Sequence, residues 1–188
     1  MKLLFAAAVL LSFSSAFLSA FAQDRVAAMA AESACGPAQI NYSATADTNH
    51  HPNPQPDPDK ALVFVVEDIG QCADCSKSNA IINDVSAAIV KVGADGAWIG
   101  AGRGSSYLFF PVEPGEHHLC VNWQSRLSVR ARAFAMSNLT AEAGKTYYFR
   151  VRLFPGDAEF SFDLEQVNSD EGKYMVASSP LSVSHPKK

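Results

Sequence analysis

Several of the features that mark common chemistries are missing from this chain. Charged residues make up only 18% of its 188 positions, and acidic residues outnumber basic ones to give a formal net charge of −4. There is therefore no basic surplus of the kind that tracks nucleic-acid phosphates. No Ser-His-Asp spacing, phosphate-cradling glycine loop or paired-carboxylate motif stands out, which removes the usual marks of a hydrolase or nucleotide-binding enzyme. Strands do not alternate regularly with helices, which argues against a parallel α/β sheet. Cysteine is scarce as well: four residues, Cys35, Cys72, Cys75 and Cys120.

The longest apolar stretch sits at the start. Lys2 precedes an uncharged run from Leu3 to Phe21, and Ala20-Phe21-Ala22 has small residues at the two positions that signal cleavage requires. Residues 1–22 read as a signal peptide; a retained anchor fits less well, because the run is rich in Ala and Ser and lacks a charged stop after it. Removing 22 of the 188 residues leaves 166, and losing Lys2 moves the net charge from −4 to −5. That is one domain's worth of chain, long enough for a substantial core. In an exported protein the four cysteines read first as disulfides. Of the three possible pairings we favour Cys72–Cys75 with Cys35–Cys120, although sequence alone does not choose among them.

Residues 23–59 form an N-terminal segment ending in a spacer. From Gly36 to Ala46, Ile40, Tyr42 and Ala44 alternate with polar neighbours as an edge strand would. The prolines of TNHHPNPQPDPDK, residues 48–60, then enforce an extended, polyproline-like connection. The sandwich domain is expected over residues 60–179. Ala61–Glu67 is a near-continuous apolar run of strand length, as in a strand buried on both faces. Residues 80–87 suit either helix or strand, and Ala88–Gly93 suits strand.

Three hairpins are predicted. Asp95-Gly96 tolerates positive φ at both centres and closes the first, placing Val90, Val92 and Ile99 on one face. Glu113-Pro114-Gly115-Glu116 has type II chemistry and would close the second, setting Leu108 against Val121, Phe110 against Leu119 and His117 against Val112. Gly156-Asp157 would close the third, with Leu153 opposite Phe160, Val151 opposite Phe162 and Arg150 opposite Asp163. Between them, Phe134–Ala141 reads as a strand. Ser169 is a plausible N-cap for a short C-terminal helix, and residues 180–188 read as a flexible basic tail. These elements together predict an all-β antiparallel sandwich with a short N-terminal extension and a short C-terminal helix.

The segments KALVFVVED, VGADGAWIG, SYLFFPVEPGEHHLCV and TAEAGKTYYFRVRL resemble a bacterial domain-of-unknown-function family of exported proteins. The middle part is similar to the PEGA-like hairpin repeats of bacterial surface proteins. The resemblance spans about residues 60–168. It implies an Ig-like or PEGA-like sandwich in the cell envelope and brings no catalytic residues.

Three groups could carry chemistry. Cys72-Ala73-Asp74-Cys75 follows a strand as in thioredoxin-like proteins, but hairpins rather than βαβ units come after it and no aromatic residue immediately precedes the first cysteine. A structural disulfide is the simpler reading. His117 and His118 are weak metal candidates, since adjacent residues on a strand point to opposite faces. Arg126, Arg130, Arg132, Arg150 and Arg152 could bind an anionic group, against which Glu159, Asp163 and Glu165 could instead pair with them. The sequence thus points to an exported, non-catalytic β-sandwich of the periplasm or envelope. It would need no cofactor and would contact an envelope protein or polymer rather than nucleic acid. The alternative is a periplasmic thiol-redox or metal-handling protein using Cys72 and Cys75.

Overall fold

The computed structural model describes residue 30 and residues 34–69, 88–124, 134–155 and 160–188. Residues 1–22, expected to be a signal peptide, Cys72 and Cys75, residues 80–87, Arg126, Arg130, Arg132 and the expected turn at Gly156-Asp157 lie outside them.

Among the described residues ten strands and one helix follow in order: β1 (Tyr42–Asp47), β2 (Ala61–Glu67), β3 (Ile89–Ala94), β4 (Ala97–Arg103), β5 (Tyr107–Val112), β6 (Gly115–Trp123), β7 (Phe134–Ala141), β8 (Thr146–Pro155), β9 (Phe160–Val167), α1 (Ser169–Ser178) and β10 (Leu181–Pro186). They form a larger sheet, ordered β1-β10-β5-β2-β8-β9, and a smaller one, β4-β3-β6-β7. Every pair is antiparallel except β2–β8 and β10–β5. The expected all-β sandwich with a short C-terminal helix is what forms, built from two mainly antiparallel sheets.

The core follows from the two-residue period of a strand. Ala61, Val63 and Val65 of β2 point inward with Val90 and Val92 of β3, Leu119 and Val121 of β6, and Phe149, Val151 and Leu153 of β8. The other face of β2 is buried too, since Leu62, Phe64 and Val66 cluster with Tyr107 and Tyr148, and Met175 and Val176 of α1 pack against them. All seven residues of β2 are buried, as its continuous apolar run requires.

The N-terminal segment covers the outer face of the smaller sheet. Cys35 is bonded to Cys120 on β6. The Trp98 indole N–H donates to the Pro37 carbonyl at 2.9 Å, and Lys91 donates to the Ile40 carbonyl at 3.2 Å. The Lys91 ammonium also stands 4.2 Å from the Trp98 ring centroid, so its nearly complete burial is matched by a carbonyl and a π face. The Gln124 side chain clasps both backbone groups of Tyr42, accepting from its N–H at 2.6 Å and donating to its carbonyl at 2.7 Å. Residues 35–47 are thus part of the sandwich and not a separate extension.

Four expectations are corrected. In the first hairpin, Asp95 and Gly96 adopt the anticipated positive φ of 51° and 83°. However, a bulge moves the partner of Val92 from Ile99 to Gly100 and leaves Ile99 44% exposed. The second hairpin does not exist: β5 pairs with β2 and β10, and β6 with β3 and β7. The Glu113–Glu116 turn instead carries the chain from one sheet to the other, so Leu108 and Phe110 meet Leu119 and Val121 in the shared core rather than side by side. The third hairpin is shifted by two residues, giving Leu153↔Phe162, Val151↔Leu164 and Arg150↔Glu165. A two-residue shift preserves which face each side chain occupies, so the apolar stripe survives. Finally, the supposed tail is strand β10, paired with β1 along six residues and with β5 at Leu181↔Tyr107.

The N-cap of α1 is Asn168, one residue before the expected Ser169. Its side-chain oxygen accepts from the N–H groups of Asp170 and Glu171 at 3.1 and 3.0 Å. Gly172 lies in the first half of α1, where a Cβ would fall into the Tyr148 side chain. Gly172→Ala should therefore destabilise the protein by about 1–3 kcal/mol despite alanine's better helix propensity. Urea unfolding checks this; an unchanged or raised midpoint would show that α1 can shift without cost.

Candidate functional site

A polar groove of about 310 Å³ opens beside α1, bounded by the end of β2, the β4–β5 turn, β8 and the helix. Its position follows from the sheet order, because β2 and β8 are parallel neighbours and α1 crosses their outer face. Met175 and Val176 anchor the helix on the sheet. The groove is lined by Asp68, Ser105, Arg150, Glu171, Tyr174 and Ser178, among others.

Arg150 is the fixed element. Even-numbered β8 residues point away from the core, so its guanidinium lies toward α1, where it donates to Glu165 Oε1 and Glu171 Oε1, both at 2.7 Å. Burial opposes its charge, but the hydrogen bond and attraction of Glu165 outweigh that, and the Arg150 pKa is raised. The hydrogen bond from Arg150, against a smaller effect of burial, holds the Glu165 pKa down. Arg152 pairs with Glu165 and, at 3.4 Å, with Asp163. The predicted partner Asp163 thus belongs to Arg152 and not Arg150, as the two-residue shift dictates. Of the five-arginine face only Arg150 and Arg152 can be placed, and both are occupied by carboxylates rather than free for an anion.

At the groove's edge Tyr174 is 74% exposed. Glu67, whose residue also borders the groove, is 2% exposed, and neither carboxyl oxygen has a hydrogen-bond partner meeting ordinary geometry. Its side chain shares the inward parity of Val63 and Val65 and lies against Gly102 of β4. Burial raises its pKa well above the usual carboxylate value, only partly offset by the nearby Gly102 backbone. Neither residue was singled out from sequence. For Glu67 a signal existed, since the period of two through Ala61, Val63 and Val65 continues to it. For Tyr174 none did, because the exposed side of a helix depends on what the helix packs against.

The histidines have other roles. His117 Nδ1 lies 2.6 Å from Asp95 Oδ2 and its Nε2 lies 2.6 Å from the Glu113 carbonyl oxygen. Both partners are acceptors, so both ring nitrogens donate and the ring is an imidazolium. Desolvation opposes that charge, but the bonds to Asp95 and Glu113 outweigh it and raise the pKa. His117 clips the β3–β4 hairpin tip to the sheet-crossing turn instead of facing Val112, and neither ring nitrogen is left to bind a metal. His118 points the other way, to Asn138 Oδ1 at 2.8 Å. Among the described residues no group of three or more His, Cys, Asp or Glu side chains could hold a metal.

A raised folded pKa means that the clip contributes fully below the unfolded value of about 6.5 and is lost as pH rises through the folded value. His117→Ala should cost about 1 kcal/mol at pH 6 and progressively less in alkaline solution, discounted because Asp95 is 49% exposed. Denaturant midpoints of the two proteins across this pH range check it. A pH-independent difference would mean that packing rather than charge holds the corner.

Of the disulfide expectations, Cys35–Cys120 is present and spans 85 residues. The thiol alternative rests on Cys72 and Cys75, outside the described residues. No family model, curated protein or solved structure matches the chain, so no residue role is carried over from a relative. Among the described residues no helix is long and apolar enough to cross a membrane.

Proposed function

We propose that this chain is an exported, non-catalytic β-sandwich that serves the cell envelope as an accessory module, binding a polymer in the groove beside α1. The observation that carries this reading is a groove whose charged floor is already ion-paired while an aromatic ring stands free at its edge. Arg150 stays protonated throughout the physiological range and is held by Glu165 and Glu171, which suits holding a ligand better than moving a proton. A pre-formed concavity with a few fixed polar groups beside an aromatic ring has the elements of a ligand site. Export is supported by the apolar N-terminal run and by Cys35–Cys120, a long-range disulfide of the kind that persists in oxidising compartments.

The test is fractionation of cells producing the full chain, followed by co-sedimentation of the purified protein with envelope fragments. The reading expects an exported protein, shortened at its N-terminus, that sediments with the fragments and is released by Tyr174→Ala. Retention in the cytoplasm, or sedimentation indifferent to Tyr174, would overturn it.

A further inference from the structure

We propose that the groove's occupant is a neutral, hydroxyl-rich glycan, an inference that rests on the binding reading above and names its ligand class. Charge decides against anions. Among the described residues the one guanidinium lining the groove, that of Arg150, is neutralised by Glu165 and Glu171, and Asp68 adds a further acidic residue. The C-terminal end of α1, with Ser178 and Ser179, also borders the groove, and the helix has no basic residue in its last turn. Its carbonyl dipoles therefore add negative potential there. A phosphate, a sulfated chain or a uronic-acid polymer would meet repulsion, with no unpaired cation among the described residues that line the groove to offset it.

What the groove offers matches a sugar. Tyr174 is 74% exposed, and its ring presents an apolar face with a polar tip. A pyranose ring has the complementary character, with C–H bonds on its faces and hydroxyls around its rim. The ion-paired Arg150 and Glu171 place planar donor and acceptor groups in one fixed arrangement, suited to pairs of neighbouring hydroxyls. Ser178 donates its hydroxyl within the helix, to the Tyr174 and Met175 carbonyls, which leaves its oxygen able to accept. At about 310 Å³ the groove is at the small end of ligand sites and suits a few sugar units of a longer chain rather than a folded partner.

Affinity electrophoresis of the exported form through gels containing a neutral β-glucan, a neutral N-acetylglucosamine oligosaccharide conjugate or polygalacturonate tests the inference. Retardation is expected in at least one neutral gel and not in polygalacturonate, and Tyr174→Ala should weaken it about tenfold, the loss of roughly one aromatic contact. The exposure of Tyr174 makes this variant safe for folding, which circular dichroism confirms. Retardation only by polygalacturonate, or equal retardation of both proteins, overturns the inference. If no gel retards the protein while Tyr174-dependent sedimentation with envelope fragments persists, the glycan inference fails and the binding reading stands. If that sedimentation is also absent, both fail.

Discussion

Replacing Cys35 and Cys120 together with alanine should lower the free energy of unfolding by about 3–5 kcal/mol, the order expected for a cross-link closing a loop of this length. The bond joins residues 85 apart, so reduction releases a large unfolded-state loop from constraint. Both cysteines are almost fully buried, which makes alanine the cleaner replacement because it introduces no hydroxyl. The native state loses something as well. Without the bond, residues 36–41 are held over the smaller sheet mainly by Trp98, Lys91 and the Gln124 clasp on Tyr42, and the outer face of β3 and β6 becomes open to water. A thermal midpoint lower by on the order of 10 °C, with earlier proteolysis near residues 36–41, is the expected result. A loss under 1 kcal/mol would mean that the strand pairing of β1 alone anchors this segment.

The second large effect lies between the sheets. Gly102 of β4 faces Glu67 so closely that a Cβ there would fall on its carboxyl group. Glu67 is 2% exposed and its carboxyl group would have to be displaced to admit a methyl, so Gly102→Ala should destabilise by about 1–3 kcal/mol, the range for overpacking a core. The two positions should be strongly coupled. In a Glu67→Ala background the added methyl enters the space the carboxyl vacated, so Gly102→Ala should cost much less or even stabilise. Additive costs in the two backgrounds would refute the contact.

Glu67 also makes a pH prediction. Its folded pKa lies above the unfolded value, so the folded state holds its proton longer. Below the unfolded pKa, near 4.3, the group contributes no pH dependence. Above it the unfolded chain ionises first, and stability falls by about 1.4 kcal/mol per pH unit until the folded value is reached. Glu67→Gln should abolish that slope while preserving shape, so its stability advantage over the natural protein should grow from pH 5 upward. A constant difference between the two would show that Glu67 is ionised in the fold.

Much of this architecture was legible locally. Ala61–Glu67 and Phe134–Ala141 are strands with the expected boundaries, and the Asp95-Gly96 turn has the backbone its residues favour. The Cys35–Cys120 pairing was favoured among three and is present. The site was far less legible. The arginine face pointed to Arg150, and the expected hairpin already set Glu165 on the neighbouring strand as a possible partner, but Glu171 and the exposed Tyr174 come from α1, and nothing in the order of residues brings that helix beside β8.

By itself the sequence determined for most strand residues which are inward and which outward, since the period of two is a property of each strand alone; the bulge that exposes Ile99 is the exception. It could not determine which strands lie side by side. A hairpin and a sheet-to-sheet crossing between β5 and β6 demand the same alternation of Leu108, Phe110, Leu119 and Val121, because both put those side chains in one core. The choice between them rests on backbone hydrogen bonds. β5 already spends its edges on β2 and β10, and β6 on β3 and β7. Of those partners β7 is next to β6 in the chain, but β2, β3 and above all β10 are not chain neighbours of β5 or β6. The sequence of β10 carries only a short alternation, Leu181 and Val183 with Ser182 and Ser184, before His185 and Pro186, and it becomes strand because β1 and β5 leave it a place to pair. That distant pairing, together with the crossing of α1 over β2 and β8, creates the groove.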